Sequence, residues 1–287
     1  MRYRRRVDRP DIIVCGDLGL DEYLDEAAPR PGGCALNVAC ALTGAGLEGR
    51  VACAGPVGDD GQPLRSLLRA RGVDASLVET RAGATARQRI AVRPDGERDF
   101  EGYLPGVLAG WAPGPASLDA LRRADLVYVP VFDVTRDLAA AVWAARAPGA
   151  PLALDLMNMS DLDDGLVEEA LARASVVFAG LSAARDEARI ARLAALAARP
   201  GAALVLVTLG PLGAVALSGG PRLARPAAPV PGGRVVDTTG CGDAFAGAFL
   251  AARARGRDVA AAMDEGSRLA ARVAARRGAV APAPLED

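Results

Sequence analysis

Short runs of β-branched and aliphatic residues alternate along the chain with longer segments in which apolar residues recur at helical spacing. The runs predict strands at residues 12–15, 50–54, 126–129, 152–155, 176–179 and 203–208. The Ala/Leu/Arg-rich segments predict helices at residues 36–45, 63–71, 117–122, 138–146, 166–172, 183–198, 242–255 and 259–276. This alternation is typical of βαβ units, so we predict an α/β fold built on a parallel sheet.

One stretch interrupts the alternation. Between Thr85 and Tyr103, alternating residues flank a Pro94-Asp95-Gly96 turn, which is the pattern of a β-hairpin. Such a hairpin either extends the sheet at its edge or forms a lid over a cleft, and the pattern alone leaves both open. Residues 219–233 are rich in Pro and Gly and predict a loop with a short strand pair.

Composition narrows the class of protein. The 287 residues are 51% hydrophobic but only 4% aromatic, so a large core would consist mostly of Ala, Val and Leu. A formal net charge of −1 gives no basic footprint for nucleic acid. No apolar run reaches the roughly 18 residues that span a bilayer, and the Arg-rich start lacks a signal-peptide core. We therefore expect a cytoplasmic protein with neither nucleic-acid nor membrane partners.

Every basic residue is Arg, because the chain contains neither Lys nor His. This excludes Ser-His-Asp and Cys-His nucleophiles, imidazole metal sites, the P-loop lysine and a pyridoxal Schiff base. Catalysis would depend on carboxylates, backbone dipoles, Arg and a borrowed metal ion. The five cysteines form no CxxC pair and indicate reduced thiols: Cys15, Cys34, Cys40, Cys53 and Cys241.

Residues 235–245 carry the strongest chemical signal. We predict a short strand that leads through a Gly-x-Gly turn into an Ala-rich helix. The amides of Cys241, Gly242 and Asp243 would lie at the helix N-terminus, which can bind a phosphate or an oxyanion without Lys. Asp243 could accept the proton of an attacking hydroxyl. An ordinary helix start with an acidic residue fits these letters too, whereas Phe245 breaks the dinucleotide-binding pattern.

A second segment could approach a nucleotide. The predicted strand that ends at Thr208 leads into a loop with Gly210 and Gly213, where small residues permit close contact with a ligand. An ordinary exit from a strand fits this pattern equally well.

A third segment carries groups that bind hydroxyls. Asp21 follows the first strand, at the end where open α/β sheets bind ligands. Gly32 and Gly33 precede a helix whose second turn would carry Asn37 toward the same cleft. Asp and Asn can bind several hydroxyls at once, as a polyol requires. A polar turn with a surface Asn remains the alternative.

In this order and at these separations, the segments resemble the PfkB/ribokinase family of carbohydrate kinases over nearly the whole chain. The resemblance is carried by GGxxxNVA at 32–39, VGDDG at 57–61, GVD at 72–74, GER at 96–98, DTTGCGD at 237–243 and GA at 278–279. Cys241 stands where the family usually has Ala.

The resemblance implies a doubly wound, mostly parallel sheet flanked by helices. A ribokinase-like domain would span residues 1–287, with a small, reduced β-lid from elements near 20–33 and 84–106. It implies ATP with Mg²⁺ and often a monovalent cation such as K⁺ near the DTTGCGD loop. Asp243 would be the base, with Gly240, Cys241 and Gly242 as the anion hole. The implied nucleotide-binding residues are Thr208, Gly210, Gly213, Asp237 and Thr239, and the implied substrate-binding residues are Asp21, Gly32, Gly33, Asn37 and Arg98.

Three departures from the family pattern qualify these expectations. The NxxE motif that organises Mg²⁺ is replaced by Gly-Leu-Ser-Ala at 180–183, so the metal ligands stay open, with Asp186 or Glu187 as candidates. Only about ten residues separate Asp21 from Gly32, so the first lid hairpin should be reduced. Cys34 stands where members that act on phosphorylated sugars tend to carry Lys, which makes a phosphorylated substrate less favoured.

The short first lid segment and the missing NxxE are similar to the fructosamine branch, the fructoselysine 6-kinases. We therefore expect phosphorylation of a primary hydroxyl on a free sugar such as fructose or a fructosamine. Ribokinase and nucleoside kinase activities of the same family remain alternatives. A non-catalytic sugar-binding homologue is the alternative from another class. The resemblance also implies that lid strands can form a homodimer interface.

Overall fold

The computed structural model describes residues 9–158, 164–181 and 183–280. Its strands are β1 (Asp11–Cys15), β2 (Gly19–Tyr23), β3 (Arg30–Gly32), β4 (Arg50–Val57), β5 (Asp74–Thr80), β6 (Ala86–Val92), β7 (Arg98–Leu104), β8 (Leu126–Pro130), β9 (Leu152–Asn158), β10 (Val176–Gly180), β11 (Leu204–Thr208), β12 (Ala214–Leu217) and β13 (Leu223–Arg225). Its helices are α1 (Cys34–Gly44), α2 (Gln62–Ala70), α3 (Pro115–Arg123), α4 (Arg136–Ala145), α5 (Asp164–Arg173), α6 (Ala183–Ala197), α7 (Cys241–Ala254) and α8 (Val259–Ala274).

Nine strands form the main sheet, in the order β13-β12-β11-β10-β9-β8-β1-β4-β5. The seven strands from β11 to β5 pair in parallel, while β12 and β13 close one edge antiparallel. The chain leaves β1 toward β4 and later returns to β8 on its other side, so the winding reverses beside β1. The doubly wound, mostly parallel sheet is therefore confirmed, and the carboxyl end of β1 is where such sheets bind ligands.

Each central strand is buried on both faces, which explains its continuous apolar run. Ile12 and Val14 of β1 belong to the hydrophobic cluster that contains residues of α1, α7 and α8, whereas Ile13 belongs to the cluster on the opposite face. Helices α1 and α7 approach closely because Gly247 has no side chain. A Cβ added there would lie 2.5 Å from the Cβ of Ala41. This contact packs the middle of α7 directly against α1.

A second sheet of four strands, which we name the lid, has the order β3-β2-β6-β7. Strands β6 and β7 form the hairpin predicted from the Pro94-Asp95-Gly96 turn. The short segment after Asp21 also folds back as a hairpin, with a β3 of three residues. The lid is joined to the main domain near Gly58, whose amide donates to the Thr85 hydroxyl at 2.9 Å.

The prediction of a short strand before the Gly-x-Gly turn is wrong. Residues 234–238 form no strand and join no sheet. Their amides bond elsewhere: Val236 donates to the carbonyl of Ala274 at 2.7 Å, and Thr238 donates to the carbonyl of Gly96 at 3.0 Å. The segment is thus held between α8 and the lid. None of the helices in the described ranges combines the length and the hydropathy that a bilayer crossing requires.

Candidate active site

The candidate site lies where β1 ends and where α1 and α7 begin. Asp243 lies in the first turn of α7 and is buried. Its Oδ2 accepts a hydrogen bond from Nδ2 of Asn37, in α1, at 2.8 Å. These two residues are 206 positions apart in the chain. The fold therefore joins two residues that the sequence could only assign to the same cleft.

Burial raises the pKa of Asp243 well above its ordinary value. The hydrogen bond from Asn37 opposes this rise, because it stabilises the carboxylate. The negative charges of Asp155, Asp17 and Asp21 raise the pKa further. A carboxyl group in such a place is a stronger proton acceptor than an exposed Asp once it is ionised.

Residues 237–242, which we name the anion loop, shape the start of α7. Gly240 has a φ of 75° and precedes the first turn of the helix, where a Cβ would lie 2.5 Å from the carbonyl oxygen of Ala279. A Cβ on Gly242 would meet nothing within 4 Å, so the space in front of that residue is open. The amides of Gly242 and Asp243 are first-turn donors, and they carry the partial positive charge of the helix N-terminus.

Cys241 contributes less to the anion hole than the family resemblance implied. Its amide donates to the carbonyl of Thr238 at 3.3 Å, and its thiol donates to the carbonyl of Ala270 at 3.5 Å. Burial raises the pKa of the thiol to about 12, although the charge of Arg98 lowers it in part. The side chain is therefore a neutral packing group.

Four buried acids lie close enough to interact electrostatically, and we name them the carboxylate cluster: Asp17, Asp21, Asp155 and Asp243. Asp17 accepts hydrogen bonds from the amides of Cys34 and Ala35 at 2.9 and 3.4 Å, at the start of α1. Asp155 accepts from the Tyr128 hydroxyl at 2.7 Å. Burial raises the pKa of both Asp17 and Asp155. Neither acid was predicted as a site residue; Asp17 lies just after the carboxyl end of β1, whereas Asp155 lies in the middle of β9.

Asp21 is the member of the carboxylate cluster whose negative charge is least stabilised by hydrogen bonds. Burial and the charges of Asp17 and Asp237 raise its pKa to about 7. A Cβ on Gly32 would lie 2.3 Å from the Asp21 carboxylate, so glycine is required there to admit the side chain. Gly33 has a φ of 93° and precedes the first residue of α1. The structure thus brings Asp21, Gly32, Gly33 and Asn37 together as the sequence predicted.

Four buried polar atoms in this region have no hydrogen-bond partner among the described residues. Two lie at the anion loop, Nε of Arg98 and Oγ1 of Thr239. The other two are Oδ1 of Asn37 and the hydroxyl oxygen of Tyr103, which lies on lid strand β7. Burial and the charges of Asp17, Cys34 and Asp21 raise the pKa of Tyr103, which places its hydroxyl near the carboxylate cluster. Unsatisfied buried polar atoms beside a group of acids are suited to a polar ligand.

Arg98 lies beside the anion loop. Its guanidinium donates to the Thr238 hydroxyl at 3.1 Å and lies 3.5 Å from the Glu97 carboxylate. Arg98 therefore lies beside the anion loop at the start of α7. Its predicted role in binding the sugar stays a prediction.

The predicted nucleotide residues lie beside β11. Thr208 ends this strand and donates from Oγ1 to the Ala179 carbonyl at 3.3 Å. A Cβ on Gly210 would meet nothing within 4 Å, whereas one on Gly213 would lie 2.1 Å from the carbonyl oxygen of Arg225. Gly210 therefore leaves open surface for a ligand, while Gly213 is required by the packing of the chain.

Asp237 is fully buried and holds the anion loop from inside. Its Oδ1 accepts from the Thr239 amide at 2.9 Å, and its Oδ2 accepts from the Gly278 amide at 2.9 Å and the Tyr23 hydroxyl at 2.6 Å. Burial opposes ionisation, but these hydrogen bonds outweigh it, so the pKa of Asp237 is lowered. Thr239 is also buried.

No three His, Cys, Asp or Glu side chains converge as metal ligands within the described ranges. Of the segment that replaces NxxE, Ser182 lies outside the described residues. Asp186 departs from helical geometry inside α6, with a φ of −120°. The Glu187 carboxylate accepts from Arg222 at 2.8 Å on an exposed surface. The Glu187 carboxylate therefore already forms an ion pair with Arg222.

A family model described as pfkB family carbohydrate kinase matches residues 21–286. The fructoselysine 6-kinase of Shigella flexneri is 32% identical over 271 residues, with 93% of this chain and 98% of that protein covered. The ATP-dependent ribose-1-phosphate kinase of Halopiger xanaduensis is 35% identical, with coverages of 89% and 84%. The ribokinase of Cryptococcus neoformans var. grubii serotype A, solved in complex with ADP, has a similar fold with a TM-score of 0.75 at 22% identity, with coverages of 94% and 95%.

Proposed function

This chain belongs to the pfkB family of carbohydrate kinases, and from that premise we propose that it transfers the γ-phosphate of ATP to a primary hydroxyl of an amino-substituted ketose. The family predicted from the sequence motifs is confirmed, and so is the activity of an ATP-dependent sugar kinase. The substrate and the roles of individual residues are the new part of the proposal.

The buried pair of Asp243 and Asn37 at the start of α7 carries the catalytic proposal. The carboxylate of Asp243 accepts the proton of the sugar hydroxyl as the oxygen attacks the γ-phosphorus, and the bond from that phosphorus to the β–γ bridging oxygen breaks. Asn37 holds the carboxylate in place through its 2.8 Å hydrogen bond. The amides of Gly242 and Asp243 stabilise negative charge on the transferred group, because they are preoriented donors.

ATP would bind between the anion loop and the open surface at Gly210. When bound, Mg²⁺ would neutralise part of the negative charge of the phosphates. Since no group of three metal-ligating side chains occurs in the described part of the chain, its ligands would be mainly phosphate oxygens and water, which Mg²⁺ commonly retains.

The carboxylate cluster supports an amino-substituted substrate. Three of the buried acids raise the pKa of the fourth, Asp243, and the chain has no Lys or His to offset their charge. An ammonium group on the substrate would pair with Asp21, whose carboxyl is the least compensated by hydrogen bonds and has a pKa of about 7. A phosphorylated sugar would be repelled by the same charges. The similarity to a fructoselysine 6-kinase also supports this substrate class.

The proposal predicts a substrate order that an ADP-release assay can measure. With MgATP, kcat/KM should be highest for N-substituted fructosamines, lower for fructose and ribose, and lowest for ribose 1-phosphate. Asp21→Asn should reduce the preference for the fructosamine over fructose about tenfold, because one charge-assisted contact is lost. Tyr103→Phe is a control that changes the same region without changing its charge.

Two outcomes would contradict parts of the proposal. Equal kcat/KM for the fructosamine and fructose in the wild type would reject the ammonium site but leave the kinase reaction in place. Asp243→Asn should reduce kcat by at least about a hundredfold, since general-base catalysis contributes on that order. An Asp243→Asn variant with wild-type kcat would reject Asp243 as the base.

A further inference from the structure

Tyr23 connects the lid to the anion loop. It lies on lid strand β2, and only 2% of its surface is exposed. Its hydroxyl donates to Oδ2 of Asp237 at 2.6 Å, across 214 positions of sequence. The contact is buried, so water does not compete with it, and a hydrogen bond to an ionised acceptor is among the stronger ones in proteins.

The same carboxylate is also held by the chain that follows α8. The Gly278 amide donates to Oδ2 of Asp237 at 2.9 Å, and Gly240 packs against Ala279 so tightly that a Cβ would not fit. With the Thr239 amide on Oδ1, the Asp237 carboxylate accepts three hydrogen bonds. The conformation of the anion loop therefore depends on donors from the lid, the C-terminal segment and the loop itself.

Positive charge is fixed behind the Tyr23 ring. The guanidinium carbon of Arg277 lies 4.3 Å from the ring centroid, and that of Arg30 lies at 6.0 Å. Arg277 is held by Asp25 and by Glu26, whose carboxylate is 3.2 Å from its Nε. A cation over the ring face is favourable and keeps the ring in one orientation. The chain thus supplies a cationic group next to the start of the anion loop.

This arrangement does not fit the monovalent cation that the family resemblance implies beside the same loop. A cation site would require the Asp237 oxygens to be open toward an ion. Here Asp237 has no exposed surface and its carboxylate already accepts three donors.

We propose that Tyr23 is a positioning residue that holds the anion loop in its phosphate-binding conformation, so that the protein binds nucleotide and turns over without a monovalent cation. The inference rests on the proposed function, because it assigns nucleotide binding to the anion loop. It extends that function by naming the group that keeps the loop in place.

The first test compares salts with the wild-type chain. Turnover, the dissociation constant of MgADP and the melting temperature should be the same in KCl, NaCl and tetramethylammonium chloride at equal ionic strength. Equal ionic strength removes differences in general screening. Severalfold activation by KCl, or a melting temperature raised by KCl alone, would overturn the inference.

The second test uses Tyr23→Phe, which removes only the hydroxyl. The dissociation constant of MgADP, measured by titration calorimetry, should rise about tenfold, as expected for loss of one hydrogen bond to a charged group. Trp111→Phe is the matched control, because it removes another buried aromatic donor to a carboxylate, at 2.9 Å from Glu79 on edge strand β5. It should affect stability in a similar way and leave MgADP affinity unchanged.

An unchanged MgADP affinity in Tyr23→Phe, or an equal loss in Trp111→Phe, would overturn the inference. Where Tyr23→Phe does not fold, Arg277→Gln tests the same junction, since it removes the charge behind the ring and keeps the hydroxyl. It should weaken MgADP binding, and an unchanged affinity would again overturn the inference. These binding measurements need no sugar, so an absence of turnover on every sugar would reject the proposed function separately.

Discussion

The behaviour of Asp243 depends on its immediate neighbours. Burial raises its pKa, Asn37 lowers it and the nearby acids raise it again. Only the ionised carboxylate can accept a proton, so we expect kcat/KM to rise with pH over a range well above the ordinary Asp pKa. The two neighbours should shift this range in opposite directions.

The pH–rate profiles of two variants test these neighbours. Asn37→Ala removes a donor to the carboxylate and should move the acidic limb of the profile to higher pH. Asp21→Asn removes a negative charge and should move the limb to lower pH. Profiles should be measured over a range from about pH 5 to about pH 9 to include both shifts. Shifts of the same sign in both variants would contradict the assignment of the limb to Asp243.

Some site residues could be predicted because their signals are local. The Gly-x-Gly turn and Asp243 occupy consecutive positions, and Gly32 to Asn37 lie within one turn and one helix. Tyr23 and Asp155 gave no such signal. A tyrosine that bonds a carboxylate 214 positions away looks like any other core aromatic residue in the sequence. Such partners are determined by topology, which a single sequence pattern does not contain.

At the scale of elements, the contact between α1 and α7 positions the base. Gly247 of α7 lies against Ala41 and Val38 of α1, and an added Cβ would be 2.5 Å from the Ala41 Cβ and 2.9 Å from the Val38 carbonyl oxygen. A methyl group there must push the two helices apart, because both neighbouring atoms belong to rigid parts of α1. Asn37 precedes Val38, so the displacement would also disturb its hydrogen bond to Asp243.

Gly247→Ala should therefore lower both stability and kcat. We expect a loss of about 1–3 kcal/mol in the free energy of unfolding, typical of overpacking. Urea unfolding and steady-state kinetics measure the two effects. Gly220→Ala is the control, since a Cβ at that position would meet nothing within 4 Å. A fully stable Gly247→Ala with normal kcat would show that α1 and α7 do not need this close approach.

The main-sheet strands predicted from sequence are those buried on both faces, because continuous apolar runs mark them. Strand β5 was missed, since only Ala75 and Val78 of this edge strand are buried and no continuous apolar run marks it. Strands β2 and β3 were missed for a related reason. They are short, and β2 contains the acids Asp21 and Glu22, which are uncommon in strands.

For the whole molecule, the carboxylate cluster links stability to pH. The pKa of Asp21 is raised by burial from 3.8 to about 7 in the folded chain. Between these values the unfolded chain has released the proton and the folded chain keeps it, so the free energy of unfolding falls as pH rises. Asp17, Asp155 and Asp243 have pKa values raised by burial and contribute in the same direction.

Asp21→Asn should remove part of this dependence. Relative to the wild type, the variant should gain stability as pH rises through this range, by up to about 4 kcal/mol. Urea unfolding of both chains across the range gives the difference. Asp119→Asn, at an exposed ion pair with Arg122, is a control that should show little change. A constant difference between wild type and Asp21→Asn at all pH values would contradict the raised pKa.

The hydrogen bonds that complete the site join residues near the two ends of the chain. Asn37 meets Asp243 across 206 positions, and Tyr23 meets Asp237 across 214. During synthesis, at about 5–20 residues per second, α1 must wait many seconds before α7 leaves the ribosome. Until then its apolar surface, including Ala41, has no partner helix. Chains truncated before α7 would therefore be inactive and prone to aggregate, and catalytic competence is acquired only after α7 has been synthesised.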